Sequence, residues 1–420
     1  MFAKASTQLS LTSTATSDEG VRSGSSQWAL LMVLAAIQFV HVLDFVIVMP
    51  LGPQLMRVFE IGPQQFGSLV SAYNLSAATA GFIGAFVLDR YDRKKSLLAV
   101  FLGLMIGTAL CAFAVGPKTF LLARLVTGAF GGLIQALIFA IVGDCYSEQK
   151  RGAATGTVMS AFSLASVIGV PIGLYFADRF DWRMPFVFLA LLSVGTWLWA
   201  ARLLPSLSSH KKTCTGPARV STFELFTERN SVVAFGLIIS LMFAGFTVIP
   251  FISAYLVANV GLAEADLATV FLCGGAATLL TSRLAGKMAD RFGKARVFSW
   301  LAGLSTIPIF VLTHLPRVPV AVAVLVATCF TVLISARAVP ALSMITSSVA
   351  PSRRGSFLSL TSCVQQAASG FASLVSGMLM SQGPAGELTR YGVVGNLAVF
   401  ATFIAIIASH HLATPTSKPT

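Results

Sequence analysis

The chain has 420 residues, of which 55% are apolar and only 11% charged. A soluble globular domain carries about 25% charged residues, so this balance leaves no room for a large soluble domain. The formal net charge of +13 raises the possibility of nucleic-acid binding, which the placement of that charge along the chain argues against.

Crossing a bilayer takes about 20 apolar residues, and runs of that size recur along nearly the whole chain. They predict an all-α membrane protein of twelve transmembrane helices, at 28–50, 66–88, 96–115, 119–142, 153–176, 185–203, 231–255, 266–286, 296–314, 319–349, 357–380 and 390–410. Residues 1–27, rich in Ser and Thr, are expected to form a disordered cytoplasmic tail. They do not read as a cleaved signal, because the first apolar run is long enough to span and lacks an obvious small-residue cleavage site. Residues 204–230 form a polar central loop between a six-helix bundle at 28–203 and a second at 231–410, and 411–420 form a short C-terminal tail.

The 29 Lys and Arg sort unevenly between the loops. Twenty fall on the side holding the termini, six on the other, and three (Arg124, Arg283, Arg337) inside spans. That asymmetry follows the positive-inside rule and predicts an inner (plasma) membrane protein with both termini cytoplasmic. The basic balance is therefore a topology signal, and no nucleic-acid partner is expected. Trp28, Trp182, Trp197 and Trp199 lie near span ends, where interfacial anchors are found.

Span 1 carries Gln38, His41 and Asp44 at i, i+3 and i+6, on one broad helix face. Asp44 is the only one of the sixteen acidic residues that lies within a span and away from its ends. A mid-span aspartate costs ~2.5–3.5 kcal/mol on insertion scales, so it is rarely kept without use. Proton coupling is the expected use, with packing against a polar neighbour as the alternative. Span 2 adds Ser71, Tyr73 and Asn74 and ends in AFVLDRYDRKK (85–95). Arg124, Gly128, Gly131 and Gln135 share one face of span 4, a cation with two small residues and an amide. Arg124 lies six residues beyond Lys118. It can pair with Asp44 or snorkel to the surface, and both readings stand.

Span 5 contains SVIGVPIGL (166–174), in which Val170 precedes Pro171 and Leu174 follows Gly173. Span 8 ends in GKMADRFGKAR (286–296). Arg337 sits about 18 Å from the end of span 10 at 1.5 Å per residue, too deep to snorkel comfortably. It is expected either to bind substrate or to brace the second bundle. Ser362, Gln366, Ser369, Ser373 and Ser376 line one face of span 11, flanked by Gln365. Hydrogen bonding between helices is the plain reading for each serine. Asn74, Gln135, Gln365 and Gln366 are also candidates for lining a cavity, together with Gln38.

The two halves echo each other. Asp89 and Asp290 are 290 − 89 = 201 residues apart, and Arg151-Gly152 and Arg354-Gly355 are 354 − 151 = 203 apart. Repeated halves place the functional site between them, near the membrane midplane. Asp89, Arg90, Arg93, Asp144, Arg151, Arg283, Asp290, Arg291 and Arg354 form a candidate cytoplasmic gate, in which a carboxylate holds a helix end or an arginine and lets go when the bundles part. Plain topology anchoring is the alternative.

At these residues the chain resembles the major facilitator superfamily, whose loop pattern G-x-x-x-D-R-x-G-R-K is followed closely at 286–294. The first copy departs from it, with Ala85 and Asp92 in place of two glycines. LDFVIVMPLGP (43–53) resembles the first-span motif of the drug:proton antiporter branch, RLVTGAFGG (124–132) resembles the span-4 motif, and the span-5 match is partial. The resemblance implies two six-helix bundles related by pseudo-two-fold symmetry, working by alternating access, with Arg124 linked to proton coupling.

No phosphate loop, HExxH motif, Cys/His cluster or G-x-S-x-G elbow appears, so neither a cofactor nor a metal is expected and the chain does not read as an enzyme. The expected function is proton-coupled efflux of a small organic compound, such as a drug or a sugar-like metabolite, by a monomer. The partners are substrate, protons and the bilayer. Proton-symport uptake and a non-transporting membrane sensor are the alternatives.

Overall fold

The computed structural model describes residues 24–87, 91–204, 228–349 and 354–412. Nearly all of them are helical, as hydrocarbon demands of a backbone that has no water to bond with. The long helices are α1 (Gly24–Ile47), α2 (Pro63–Val87), α3 (Arg93–Ala112), α4 (Pro117–Cys145), α5 (Lys150–Arg179) and α6 (Met184–Leu203). A second set follows: α7 (Arg229–Val260), α8 (Asp266–Phe292), α9 (Lys294–Thr313), α10 (Val320–Ser347), α11 (Arg354–Leu379) and α12 (Tyr391–His411). Among the described residues, ten of these are long and apolar enough to cross a membrane. The other two, α2 and α11, are 25 and 26 residues long. The twelve expected spans are thus twelve helices, with ends shifted by a few residues. The expected tail at 1–27 and loop at 204–230 fall largely outside the described residues, as does most of 411–420.

Helix ends follow local chemistry. Asp92 caps α3, its carboxylate accepting from the Lys95 N–H at 3.0 Å. Pro117 occupies the first turn of α4, where a missing N–H goes unnoticed, and Thr119 turns back to accept from the Gly116 N–H. Within α5 the helix widens to a π turn at Ala165–Gly169. Pro171 follows at once and cannot donate to the ladder, which accounts for the local rewiring. A short helix, Gly52–Val58, joins α1 to α2, a detail the hydropathy pattern does not reveal. A two-stranded hairpin, Ser381–Gln382 with Leu388–Thr389, joins α11 to α12.

The first six helices pack among themselves through α1 with α5 and α6, α2 with α4, and α3 with α4 and α6. The last six do so through α8 and α9 with α10, and α7 and α9 with α12. The two sets meet along two seams, α2 with α11 and α5 with α8. Glycines set the first seam. A Cβ on Gly67 would lie 2.8 Å from the Ser373 carbonyl, and one on Gly377 would lie 2.8 Å from the Pro63 carbonyl. Ser373 and Ser376 of the expected polar stripe donate to the Phe246 and Thr247 carbonyls of α7, so these two serve helix–helix bonding.

One expected anchor is placed differently. Trp182 is buried, packed edge-on against Phe59, Phe120 and Phe186, because the chain folds it inward between α4 and α6. Trp28 remains exposed.

Candidate functional site

Asp44 lies wholly inside the first six helices, with no exposed surface. Arg124, reaching across from α4, donates from Nη1 to Asp44 Oδ2 at 2.9 Å and to the Asp44 carbonyl at 3.2 Å. Thr108 of α3 donates to Oδ1 at 2.8 Å. Three helices therefore converge on one carboxylate. The Arg124 side chain is 1% exposed, so the snorkelling reading is overturned: the guanidinium turns inward because the acid is there to receive it.

Tyr73 of α2 completes the group, its ring 4.4 Å beneath the Arg124 guanidinium carbon. A charge over an aromatic face away from water gains about 2 kcal/mol or more. Glycines on α4 make room for this. A Cβ on Gly131 would collide with the Tyr73 hydroxyl, and one on Gly128 would collide with Ser76 and the Tyr73 carbonyl. The face of Arg124, Gly128 and Gly131 is thus the packing face against α2. Gln135, one turn further on, is half-buried.

Around this pair sits a set of buried polar atoms that the described residues leave without a partner: Gln38 Oε1, both His41 ring nitrogens, the Tyr73 hydroxyl and Asn74 Oδ1. Gln38 and His41 come from α1, Tyr73 and Asn74 from α2, and the His41 and Tyr73 ring centroids are 6.5 Å apart. Buried polar groups are nearly always satisfied, so a cluster of five calls for a partner from outside the chain. Phe45 stacks on Tyr73 at 5.2 Å and faces Phe246 of α7 at 6.0 Å, which carries the group to the boundary between the halves. Gln365 and Gln366 of α11 are half-buried.

Arg337 is equally buried but lies elsewhere, inside the last six helices, where Nη1 donates to Ser305 of α9 at 2.9 Å and Thr402 of α12 at 3.0 Å. Both partners belong to its own bundle.

Of the candidate gate, Asp89 and Arg90 fall outside the described residues, and so does the side chain of Arg354. Arg93 joins the start of α3 to the end of α4 through Asp144 at 3.3 Å. Arg151 donates to the Gly143 carbonyl at 2.7 Å. Arg283, Asp290 and Arg291 are exposed.

On the opposite face, an ion pair crosses between the halves. Arg57, on the short helix after α1, contacts Glu264, between α7 and α8, at 2.5 and 3.3 Å. The hydrogen bond holds the guanidinium more firmly protonated than usual. Phe66 and Phe251 meet nearby at 5.5 Å. These contacts tie the two halves together on that face. An open cleft of about 500 Å³ lies between the start of α2 and the hairpin, lined by Gln64, Gln65, Ser68 and Gln382. It contains none of the charged groups around Asp44.

Thr108, Ser305 and Thr402 belong to these two clusters without having been singled out in the sequence. A single hydroxyl in an apolar helix carries no signal of what it faces.

Two halves of six helices, joined along two seams and with a buried acid–base pair inside the first, define a membrane transport protein rather than an enzyme. The chain belongs to the Major Facilitator Superfamily, whose family model matches residues 34–248 and 233–420. The MFS-type transporter YwfA of Bacillus subtilis (strain 168) is 28% identical over 373 residues, 86% of this chain and 87% of that protein. Multidrug resistance protein 2 of the same organism is 24% identical, covering 85% of this chain and 90% of the relative. Among solved structures, a D-xylose-proton symporter superposes with a TM-score of 0.73 over 90% of this chain and 97% of its own, at 16% identity, which establishes the fold alone. The protein is a multi-pass membrane transporter of small molecules.

Proposed function

We propose that this transporter is a proton-coupled efflux antiporter for a small organic compound, and that Asp44 carries the proton. The observation that carries this reading is the Asp44–Arg124 pair, buried on both sides at mid-span within the first six helices. A carboxylate kept at that depth must either hold its cation or take up a proton, and protonation removes the attraction that ties α1 to α4. The proposed cycle uses this switch. Protonation frees Arg124 and loosens α1 against α4 and α2, and the halves rock about the glycine seam. Proton release re-forms the pair. His41 lies one turn from Asp44 and is proposed to relay the proton.

Substrate is proposed to sit between the halves, against Phe45, Tyr73 and Phe246, and to satisfy Gln38 and Asn74 together with Gln135, Gln365 and Gln366. A largely aromatic, amide-bearing surface suits a lipophilic compound. The similarity to Multidrug resistance protein 2 supports outward transport of that class. The excess of basic residues on the terminal side supports cytoplasmic termini in an inner (plasma) membrane, where the Arg93–Asp144 contact would brace the cytoplasmic gate. The protein is proposed to act as a monomer of two bundles.

The test is substrate-driven proton release from inverted vesicles, using a panel of lipophilic drugs. Wild type should release protons and Asp44→Asn should not, while still folding and inserting. Normal proton release by Asp44→Asn would refute the assignment. Accumulation rather than extrusion of drug by intact cells expressing the protein would replace antiport by symport.

A further inference from the structure

The last six helices bury a charge that they do not neutralise. Arg337 is 1% exposed and lies ten residues before the end of α10, about 15 Å along the helix, so its head cannot reach an interface. Only Nη1 has partners. The Ser305 and Thr402 hydroxyls that accept from it each donate onward to a carbonyl of their own helix, Ala302 and Ala398. They contribute dipoles and no charge. Nε and Nη2 have no partner among the described residues.

An acid cannot be supplied from within this bundle. Between Arg229 and Leu412 the only carboxylates are Glu264, Asp266, Asp290 and Glu387. Each lies at a helix end or in a connection, so none reaches mid-depth. Charges held at membrane depth are almost always paired with one another or with carbonyls, and among the described residues this one has neither. The free donors also have a definite geometry. Nε–H and the Nη2 N–H on the side away from Cδ point the same way from one edge of the planar guanidinium. That edge receives a carboxylate or a halide through two parallel bonds.

We propose that Arg337 is the core of an anion site within the second bundle, taking a singly charged anion on its Nε–Nη2 edge while Ser305 and Thr402 hold its other nitrogen in place. The site is separate from the proton-coupling pair, since Arg124 already has Asp44. A solution halide and a carboxylate borne by a substrate share the required chemistry, and the experiment separates them.

The full-length protein, purified in detergent in a buffer whose only anion is a bulky sulfonate, is titrated with sodium bromide and, separately, with sodium acetate at constant ionic strength. Binding to the folded state alone raises the melting temperature saturably, here by a few degrees. A response to bromide alone assigns a halide, a response to acetate alone a carboxylate, and a response to both a site for either. Arg337→Gln should lose the response. No saturable rise with either salt, or the same rise in Arg337→Gln, overturns the proposal. Should Arg337→Gln fail to fold, structure determination of wild type in the responding anion decides. Density against the Nε–Nη2 edge supports the site, and density only elsewhere overturns it.

Discussion

Among the described residues, Arg124 and Arg337 are the two most deeply buried arginines, one in each half, and their surroundings differ in kind. Arg124 meets a carboxylate at 2.9 Å, with a threonine bracing the acid and a tyrosine ring beneath the cation. Arg337 meets two hydroxyls and stops there. The same side chain at similar burial is therefore held by charge in one bundle and by dipoles in the other. A built-in acid can trade its cation for a proton; a hydroxyl cannot. Proton coupling is thus proposed for the first half alone, although both halves carry the same loop landmarks at offsets of 201 and 203 residues.

The largest effects should come from breaking the first cluster. Removing one member of a buried ion pair leaves an uncompensated charge and typically costs about 3–5 kcal/mol. Asp44→Asn and Arg124→Gln should each lower stability by that order in denaturation of purified protein. The double variant should recover most of the loss, because two neutral amides need no counter-charge, yet it should remain unable to couple. If the double variant is no more stable than either single one, the pair is not the unit that geometry indicates.

Smaller losses should come from the hydroxyls. A hydrogen bond to a charged group contributes about 1.5–3 kcal/mol. Thr402→Val removes one of the two partners that Arg337 has, whereas Thr108→Val removes a second partner from an acid that keeps its arginine. Thr402→Val should therefore be the more destabilising of the two, and equilibrium unfolding of both would show it. The reverse order would mean that Arg337 draws its stabilisation from elsewhere.

Much of this architecture was legible in the sequence, and the reasons are physical. Hydropathy alone marks spans, because hydrocarbon tolerates no long polar helix. Asp44 stands out as a lone acid in an apolar run, and the 201- and 203-residue offsets expose the repeat. Partner choice was not legible. Arg124 had two equal readings because spacing along one helix does not reveal which helix faces it. Asp92, which counts as a departure from the loop pattern, proves to be the residue that caps α3. Trp182 lies near a span end but turns inward, a choice made by Phe59, Phe120 and Phe186. Thr108, Ser305 and Thr402 look like any other hydroxyl in a span until three helices bring them to a charge.

The smallest expected effect on stability belongs to the contact that joins the halves. Arg57 is 65% exposed at its side chain, and Glu264 18%. Such pairs contribute about 0–1 kcal/mol and weaken with salt. Glu264→Gln should therefore barely move the melting temperature. Its influence on shape should be larger in proportion, since two conformations that interconvert during transport differ by only a few kcal/mol. With the glycine seam of Gly67 and Gly377 intact, loss of the pair removes one of the contacts that join the halves on this face. Spin labels on the short helix Gly52–Val58 and on the connection between α7 and α8 should then report a larger share of the separated state, and high salt should do the same to wild type. An unchanged distance distribution under both conditions would assign closure of that face to the apolar and glycine contacts alone, with the ion pair a bystander.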